Sequence, residues 1–519
     1  MTQQILARTG RRRNRAGSGS SEQGTPDTPS AGPGMQSGCF KPLSADEQAM
    51  VHEAALDLLE TLGISQAIPS LVERVAARGG RLDDEGRLRF PRRLVEEAIS
   101  SIRRDVHLHN RSEIPSLELT GYRVHFGSGG AAPNIVDFKT GRYRPSTARD
   151  LYDAARLVDT LEHIHVFSRS LVATDAPDSR SLDVNTAYAV LSGTSKHTCI
   201  SCTEVSSVPH VANLCYAVAG GEAAFRARPF MTLMIAHVVP PMRFAREACE
   251  VLESAVLSGF PIQVISAGQA GATSPATLAG SLTQAVAESL AGMVFAWLVN
   301  PDAMVVFAPK PLVADLRTGA MSGGGGEQAI LMAAAAQMGR YYDFPTSSIA
   351  GITDSKIPDA QHGAEKCLSV SLAAHAGSNL VTQSCGMQAS LLGCALESYV
   401  IDNDMLGNIM RSVRGVEAAP ETIATDVIAE VCRGEGHYLG HPQTLENMKS
   451  HYSYPALGDR RTPREWEESG ANDIRAVARR QAAEILRDHF PAHIDDTVDL
   501  DLRQRFDLLL SREETGRET

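Results

Sequence analysis

The chain has 519 residues, 43% of them hydrophobic and 21% charged, with a formal net charge of −12. That balance belongs to a globular protein with a large core and excludes a disordered or fibrous chain. The acidic surplus, with no concentrated basic face in the body of the sequence, disfavours nucleic acid as a partner.

In chain order, Arg8, Arg11, Arg12, Arg13 and Arg15 are followed by Gly, Ser and Pro up to Gly38. No apolar stretch of a signal peptide accompanies them, and residues 1–38 are expected to be a disordered tail. Residues 39–120 predict a helical and mixed preface. Ser44 is a candidate N-cap with Glu47 at capping-box spacing, Gly63 closes the helix, and "VHLHN" suits a short strand. The most apolar run, Leu290 to Val299, is too short for a membrane span and ends at Asn300 and Pro301. Nine cysteines lie without zinc-like pairing, and the Cys199/Cys202 spacing sits in "HTCISC", which reads as a buried strand. A reduced, cytoplasmic protein without a metal of its own is expected.

Residues 121–415 alternate short apolar runs with helix-patterned stretches, as repeated βα units do. The runs begin at Arg123, His163, His197, Phe230, Pro261, Ala303, Thr346 and Asn379. Between the first two, Leu151, Ala154, Ala155, Val158 and Leu161 fall on one helical face. Ser146, Ser207, Ser274 and Pro358 are candidate helix starts, and Gly193, Gly220, Gly259 and Gly377 candidate stops. Eight such repeats predict an α/β fold, a (β/α)8 TIM barrel. A doubly wound sheet is the rival, but "GSGGAAPN" after the first run is a poor dinucleotide loop. Residues 416–519 are charged and helical, with Trp466 as their largest anchor. They predict a C-terminal extension that packs on the barrel or on a sister subunit, making a homo-oligomer.

Barrel enzymes place chemistry on the loops after the strands. Arg169 and Glu204 lie there, with a simple ion pair between them as the alternative. His237 follows the fourth run and is either a pocket donor or a satisfied core histidine. Phe126, Phe167 and Phe307 are most often core, yet aromatic residues are only 5% of the chain, so three near strand ends could form a cationic cage. The glycines from Gly323 to Gly326 let backbone approach a bound group, or are plain loop. Lys310 and Lys356 are candidate Schiff-base lysines, which would make the chain a lyase.

Five segments together carry a family resemblance: "GSGGAAPNIVD", "PDAMVVFAPKP", "AGITDSKIPDAQHGAEK", "GHYLGHPQTLENM" and "YPALGDRR". From about Ser44 onward the chain resembles the trimethylamine methyltransferase family of corrinoid-dependent enzymes. The resemblance implies a barrel whose top receives a separate corrinoid protein, with Co(I) taking a methyl group from a methylated amine. Founding members carry pyrrolysine after the seventh strand; this chain has only standard residues from Ile352 to Pro358. That departure points away from trimethylamine and toward the non-pyrrolysine branch, which includes a glycine betaine methyltransferase. On this reading Phe167, Phe307, Glu204 and Asp354 hold a quaternary ammonium, and Arg169 and His237 a betaine carboxylate. Gln383 lies beside the substrate, while Gly129, Gly130, Gly324 and Ser384 face the corrinoid. Trimethylamine demethylation, betaine binding without catalysis, and the lyase remain the alternatives.

Overall fold

The computed structural model describes residues 34–112 and 115–517. Most of the arginine-rich tail, residues 1–33, lies outside them. Within the stretch expected to be disordered, Met35 and Gln36 pair antiparallel with Val124 and Arg123.

The preface begins with the helix Ala45–Asp57, whose Ser44 and Glu47 form a reciprocal capping box. It continues through a wider turn to Gly63, where φ is +69° and a Cβ would meet the Leu88 carbonyl at 2.5 Å.

All eight apolar runs form strands: β1 Arg123–Phe126, β2 Val166–Ser168, β3 His197–Ile200, β4 Met231–Ile235, β5 Ile262–Ser266, β6 Val305–Pro309, β7 Ser347–Ile349 and β8 Leu380–Thr382. Helices follow each of them: α1 Ala148–Asp159, α2 Ser179–Gly193, α3 Val208–Ala219, α4 Arg246–Leu257, α5 Leu278–Val299, α6 Gly326–Tyr341, α7 Ala360–His375 and α8 Leu396–Arg414. The apolar stripe of α1 is buried as its periodicity predicts. Ser207 stands at the N-cap of α3 as expected, whereas Thr147 caps α1, Thr277 precedes α5 and Asp359 caps α7, shortly after Ser146, Ser274 and Pro358.

Every pair among these strands is parallel. β2 to β6 form one continuous ladder, and β7, β8 and β1 form another. Single parallel bridges, Gly127 to Val166 and Phe307 to Thr346, join the two sheets at both edges. The α/β expectation is met, whereas one unbroken ring of strand pairing is not. At the β1–β2 edge, glycine at 127 takes the bridging position, and at the β6–β7 edge Pro345 contributes only its carbonyl, to Phe307 N.

Helix α5 is long and apolar enough to cross a membrane, but 83% of its most apolar window is buried inside the fold. It is a core helix, longer than the run that the sequence suggested. The amino ends of the strands are stoppered by a hairpin, His107–Leu108 paired with Leu117–Glu118. Val106, Leu108, Leu117 and Leu119 pack there against Val166, Cys199, Val306 and Leu380. Access to the inner face is therefore from the carboxyl ends.

The helices Ile474–Asp488 (α9) and Asp496–Arg505 (α10) clamp the extension onto α1 and α2. Arg156, 1% exposed, donates to the carbonyls of Leu486 and His489, while Asp499 accepts from Tyr188 and Arg503. These charged contacts anchor the extension; Trp466 bonds only locally, to the Asn472 carbonyl.

Candidate functional site

Strand parity sorts side chains into those facing the helices and those facing the enclosed inner side. The register β5–β6 pairs Gln263 with Val306, and β7–β8 pairs Ile349 with Thr382. These residues, with Ser168, Cys199, Thr232, Met234 and Ile265, face inward. Met234 and Ile265, the penultimate residues of β4 and β5, keep partial solvent exposure at the carboxyl end of the strands.

Lys310 leaves the end of β6 and crosses this space. Its Nζ donates to Thr382 Oγ1 at 3.0 Å and reaches Gln263 Oε1 at 3.4 Å. The residue is 2% exposed, and among the described residues no carboxylate pairs with it. Burial pulls the amine down to about 7, with only the distant pull of Cys199 opposing it. Burial in turn pushes the Cys199 thiol up to about 11. Thr382 Oγ1 has two acceptors for its one proton, the Ser348 carbonyl at 2.9 Å and Gln383 Oε1 at 2.5 Å, and the Gln383 amide nitrogen stands toward Gly129.

The loops after β6, β7 and β8 are tied together by Asp354. Its carboxylate accepts from Gly323 N at 2.8 Å, Ser322 Oγ at 3.0 Å, Gly324 N at 3.4 Å and Ser390 Oγ at 2.5 Å. The anion held by the glycine run is thus an internal side chain. Glu365 on α7 accepts from Thr353 Oγ1 and from Asp354 N, fixing the same loop from below.

The loop after β8 is set by a buried charge cluster. Asp402 on α8 accepts from His362 Nε2 at 2.8 Å, Lys366 Nζ at 2.7 Å and Gly386 N at 2.8 Å. All three residues are 1% exposed or less. The loop after β4 is held similarly by Glu288 of α5, bonded to Met242 N and Ser266 Oγ. Burial raises the Glu288 carboxyl above its ordinary value, and these hydrogen bonds oppose that rise.

The residues expected at the site separate. Phe167 and Phe307 are fully buried on the helix side, the latter against Tyr342 and Phe344, so they form no cage. His237 packs beneath Gly292 of α5 and bonds the Glu288 carbonyl at 2.8 Å; burial lowers it to about 4. It is a core histidine because odd strand parity turns it toward α5. Glu204 is bonded to Ser206 at the surface and does not meet Arg169. Nε of Arg169 is buried without a hydrogen-bond partner; burial lowers the guanidinium from its ordinary value, and Asp183 on α2 is the charge that most opposes this. Asp354 is consumed by the loops. Gln383 alone of that set borders the inner space, at 7% exposure.

The four corrinoid candidates are closed by their neighbours. Ser384 is buried and donates to the Gly127 carbonyl. A Cβ at Gly130 would meet Met387 Sδ, one at Gly129 would meet Ser168 and Gln383, and one at Gly324 would meet Glu365. Gly129, Gly130 and Gly324 thus serve the close packing of the loops, and Gly130 and Gly324 keep partial exposure. Lys356 is exposed, and its Nζ donates to the Asp354 carbonyl.

Gln263, Thr382 and Cys199 are among the inner-face residues that strand-end reasoning misses. The available signal is a polar residue inside an otherwise apolar strand, as in "PIQVIS" and "NLVT". A polar cleft of about 790 Å³, lined by Asn408, Arg411, Gln443, Glu446 and His451 among others, lies against the extension, remote from the strand ends. Among the described residues no cluster is arranged to hold a metal ion.

Comparison with known proteins matches this chain to the family model described as trimethylamine methyltransferase (MTTB) over residues 7–513. The match thus reaches into the arginine-rich segment. The chain is 30% identical to the trimethylamine methyltransferase MttB of Desulfitobacterium hafniense over 461 residues, covering 89% of this chain and 92% of that protein. It is 28% identical to a glycine betaine methyltransferase of the same species, covering 89% and 95%. The solved monomethylamine methyltransferase of Methanosarcina barkeri aligns over 86% of this chain and 88% of its own, at 12% identity and a TM-score of 0.48. By the extent of the family match, this chain belongs to the trimethylamine methyltransferase family.

Proposed function

We propose that this chain moves a methyl group from a quaternary amine resembling glycine betaine to the Co(I) of a corrinoid carried on a separate protein. On this reading the two sheets act as one closed (β/α)8 barrel, with the reaction at the carboxyl ends of its strands. The observation that carries it is the match over residues 7–513, together with relatives named for methylated-amine methyl transfer. The absence of any non-standard residue from Ile352 to Pro358 favours the quaternary amine over trimethylamine.

A quaternary ammonium needs no protonation to leave. Its C–N bond breaks with the electron pair remaining on nitrogen, giving a neutral tertiary amine, and the acceptor supplies the nucleophile. The protein's part is to orient the methyl and keep water away. Met234, Ile265 and Ile349 provide an apolar surround for N-methyl groups, and the amino-end hairpin leaves the carboxyl end for the acceptor. Imine chemistry at Lys310 fits less well, because Gln263 and Thr382 offer no acid or base to move the protons that carbinolamine dehydration requires.

The test is a screen of methylated amines with Co(I) cobalamin, followed by loss of the Co(I) absorbance. Glycine betaine is expected to react and trimethylamine not. Loss of the band with trimethylamine alone would assign the other substrate.

A further inference from the structure

Lys310 presents an unusual account of charge. An ammonium has three donors, and here two are directed at neutral acceptors, Thr382 Oγ1 and Gln263 Oε1, leaving a third without a protein partner. A buried cation without a counter-ion is costly, and a second cation brought beside it would be repelled. A methylated ammonium can share this space only if the amine is neutral or if the same ligand brings an anion to it.

Next to it, the Gln383 side chain is held at its oxygen end by Thr382, and its Nε2 has no hydrogen-bond partner among the described residues. Gln383 itself adopts φ +59°, a costly backbone for a non-glycine residue. A Cβ at Gly129 would lie 3.1 Å from this Nε2, so glycine there leaves the amide its space. One ammonium donor and one amide donor, linked through Thr382, thus lie on the inner side of the strands, toward which register also turns Met234, Ile265 and Ile349.

We propose that Lys310 and Gln383 form a carboxylate-binding floor, and that the ligand class is a trialkylammonium carboxylate. The carboxylate lies against Lys310 Nζ and Gln383 Nε2, and the N-methyl groups point to the open carboxyl end of the strands. This replaces the carboxylate role expected of His237, which is core. It also differs from one at Arg169, which parity turns toward α2 and Asp183. The inference rests on the methylated-amine reading for the cationic half of the ligand; the anionic half stands on Lys310 and Gln383 alone.

Binding a carboxylate to this amine favours its protonated form. The other titratable group facing it, Cys199, stays a thiol well above neutral pH, and the inward His197, lowered to about 3 by burial, stays neutral. Calorimetry at pH 8 in buffers of different ionisation enthalpy, on the full-length protein with no acceptor present, reads the consequence. Glycine betaine is expected to bind with uptake approaching one proton per site, and tetramethylammonium with none. Wild-type protein should favour betaine by about 10- to 100-fold, as a charge-assisted hydrogen bond lost or gained would give. Lys310→Met is expected to abolish both the proton uptake and that preference.

Equal affinity for the two ligands, or betaine binding without proton uptake, overturns the proposal using wild-type protein alone, whatever the folding of the variant. Uptake that persists in a folded Lys310→Met protein overturns it too. Because no cobalt is involved, proton-linked binding without methyl transfer would sink the transferase reading and leave this one standing. Methyl transfer from betaine without proton uptake would do the reverse.

Discussion

Gly130 shows how a single residue sets the position of a loop. Its φ is +130°, and a Cβ would stand 2.1 Å from Met387 Sδ, in the loop after β8 that also carries Gln383. Gly130→Ala is expected to cost about 1–3 kcal/mol, since both the backbone and the methionine must shift. Gly326, in contrast, opens α6 with ordinary φ and open space where its Cβ would be. Gly326→Ala should be neutral or stabilise by up to about 1 kcal/mol, because a restricted unfolded chain favours alanine. Urea denaturation midpoints of the two variants separate these cases, and equal midpoints would contradict the packing argument. Single residues are also where the sequence is least readable. Phe167 and Phe307 lie in strands apolar on both faces, so no alternation tells which side they turn to. Their neighbours Ser168 and Ala308 face the inner space instead.

At the level of elements, the strands announce themselves because buried parallel strands are unbroken apolar runs separated by amphipathic helices. What holds their loops does not announce itself, since the partners are far apart in sequence. Asp402, His362 and Lys366 join α8, α7 and the loop after β8 in a cluster sealed from solvent. Lys366 and Asp402 compensate each other, and nearby cations hold the Asp402 carboxyl below the ordinary carboxylate range despite its burial. Lys366→Met strips one partner from a buried charge and is expected to cost about 3–5 kcal/mol. The double variant Lys366→Met/Asp402→Leu removes the charge as well and should recover part of that loss. A double variant less stable than the single one would show that the aspartate's other bonds, to His362 and Gly386, dominate.

Across the whole molecule, burial of neutral bases sets the response to acid. His125 and His237 are lowered to about 4 and His197 to about 3, in each case mainly by burial. Below the unfolded value of about 6.5 the unfolded chain takes up protons that these folded sites refuse, so stability falls as pH drops from there toward 4. Above about 6.5 the three sites contribute no pH dependence. Lys310, lowered from 10.5 to about 7, adds a further gain in stability as pH rises from about 7 to 10. Urea midpoints measured from pH 4.5 to pH 9 should therefore climb throughout, steeply below 6.5. A flat profile between pH 6.5 and 5 would mean that the histidines are solvated.

Strands stoppered at one end suit the proposed reaction, in which a methylated ammonium held at the other end loses one methyl to an outside nucleophile. The direct measurement is product analysis by mass spectrometry after incubation with glycine betaine and Co(I) cobalamin. Dimethylglycine and methylcobalamin are expected in equal amounts. Dimethylglycine without methylcobalamin, or no product from any methylated amine in the screen, would contradict it.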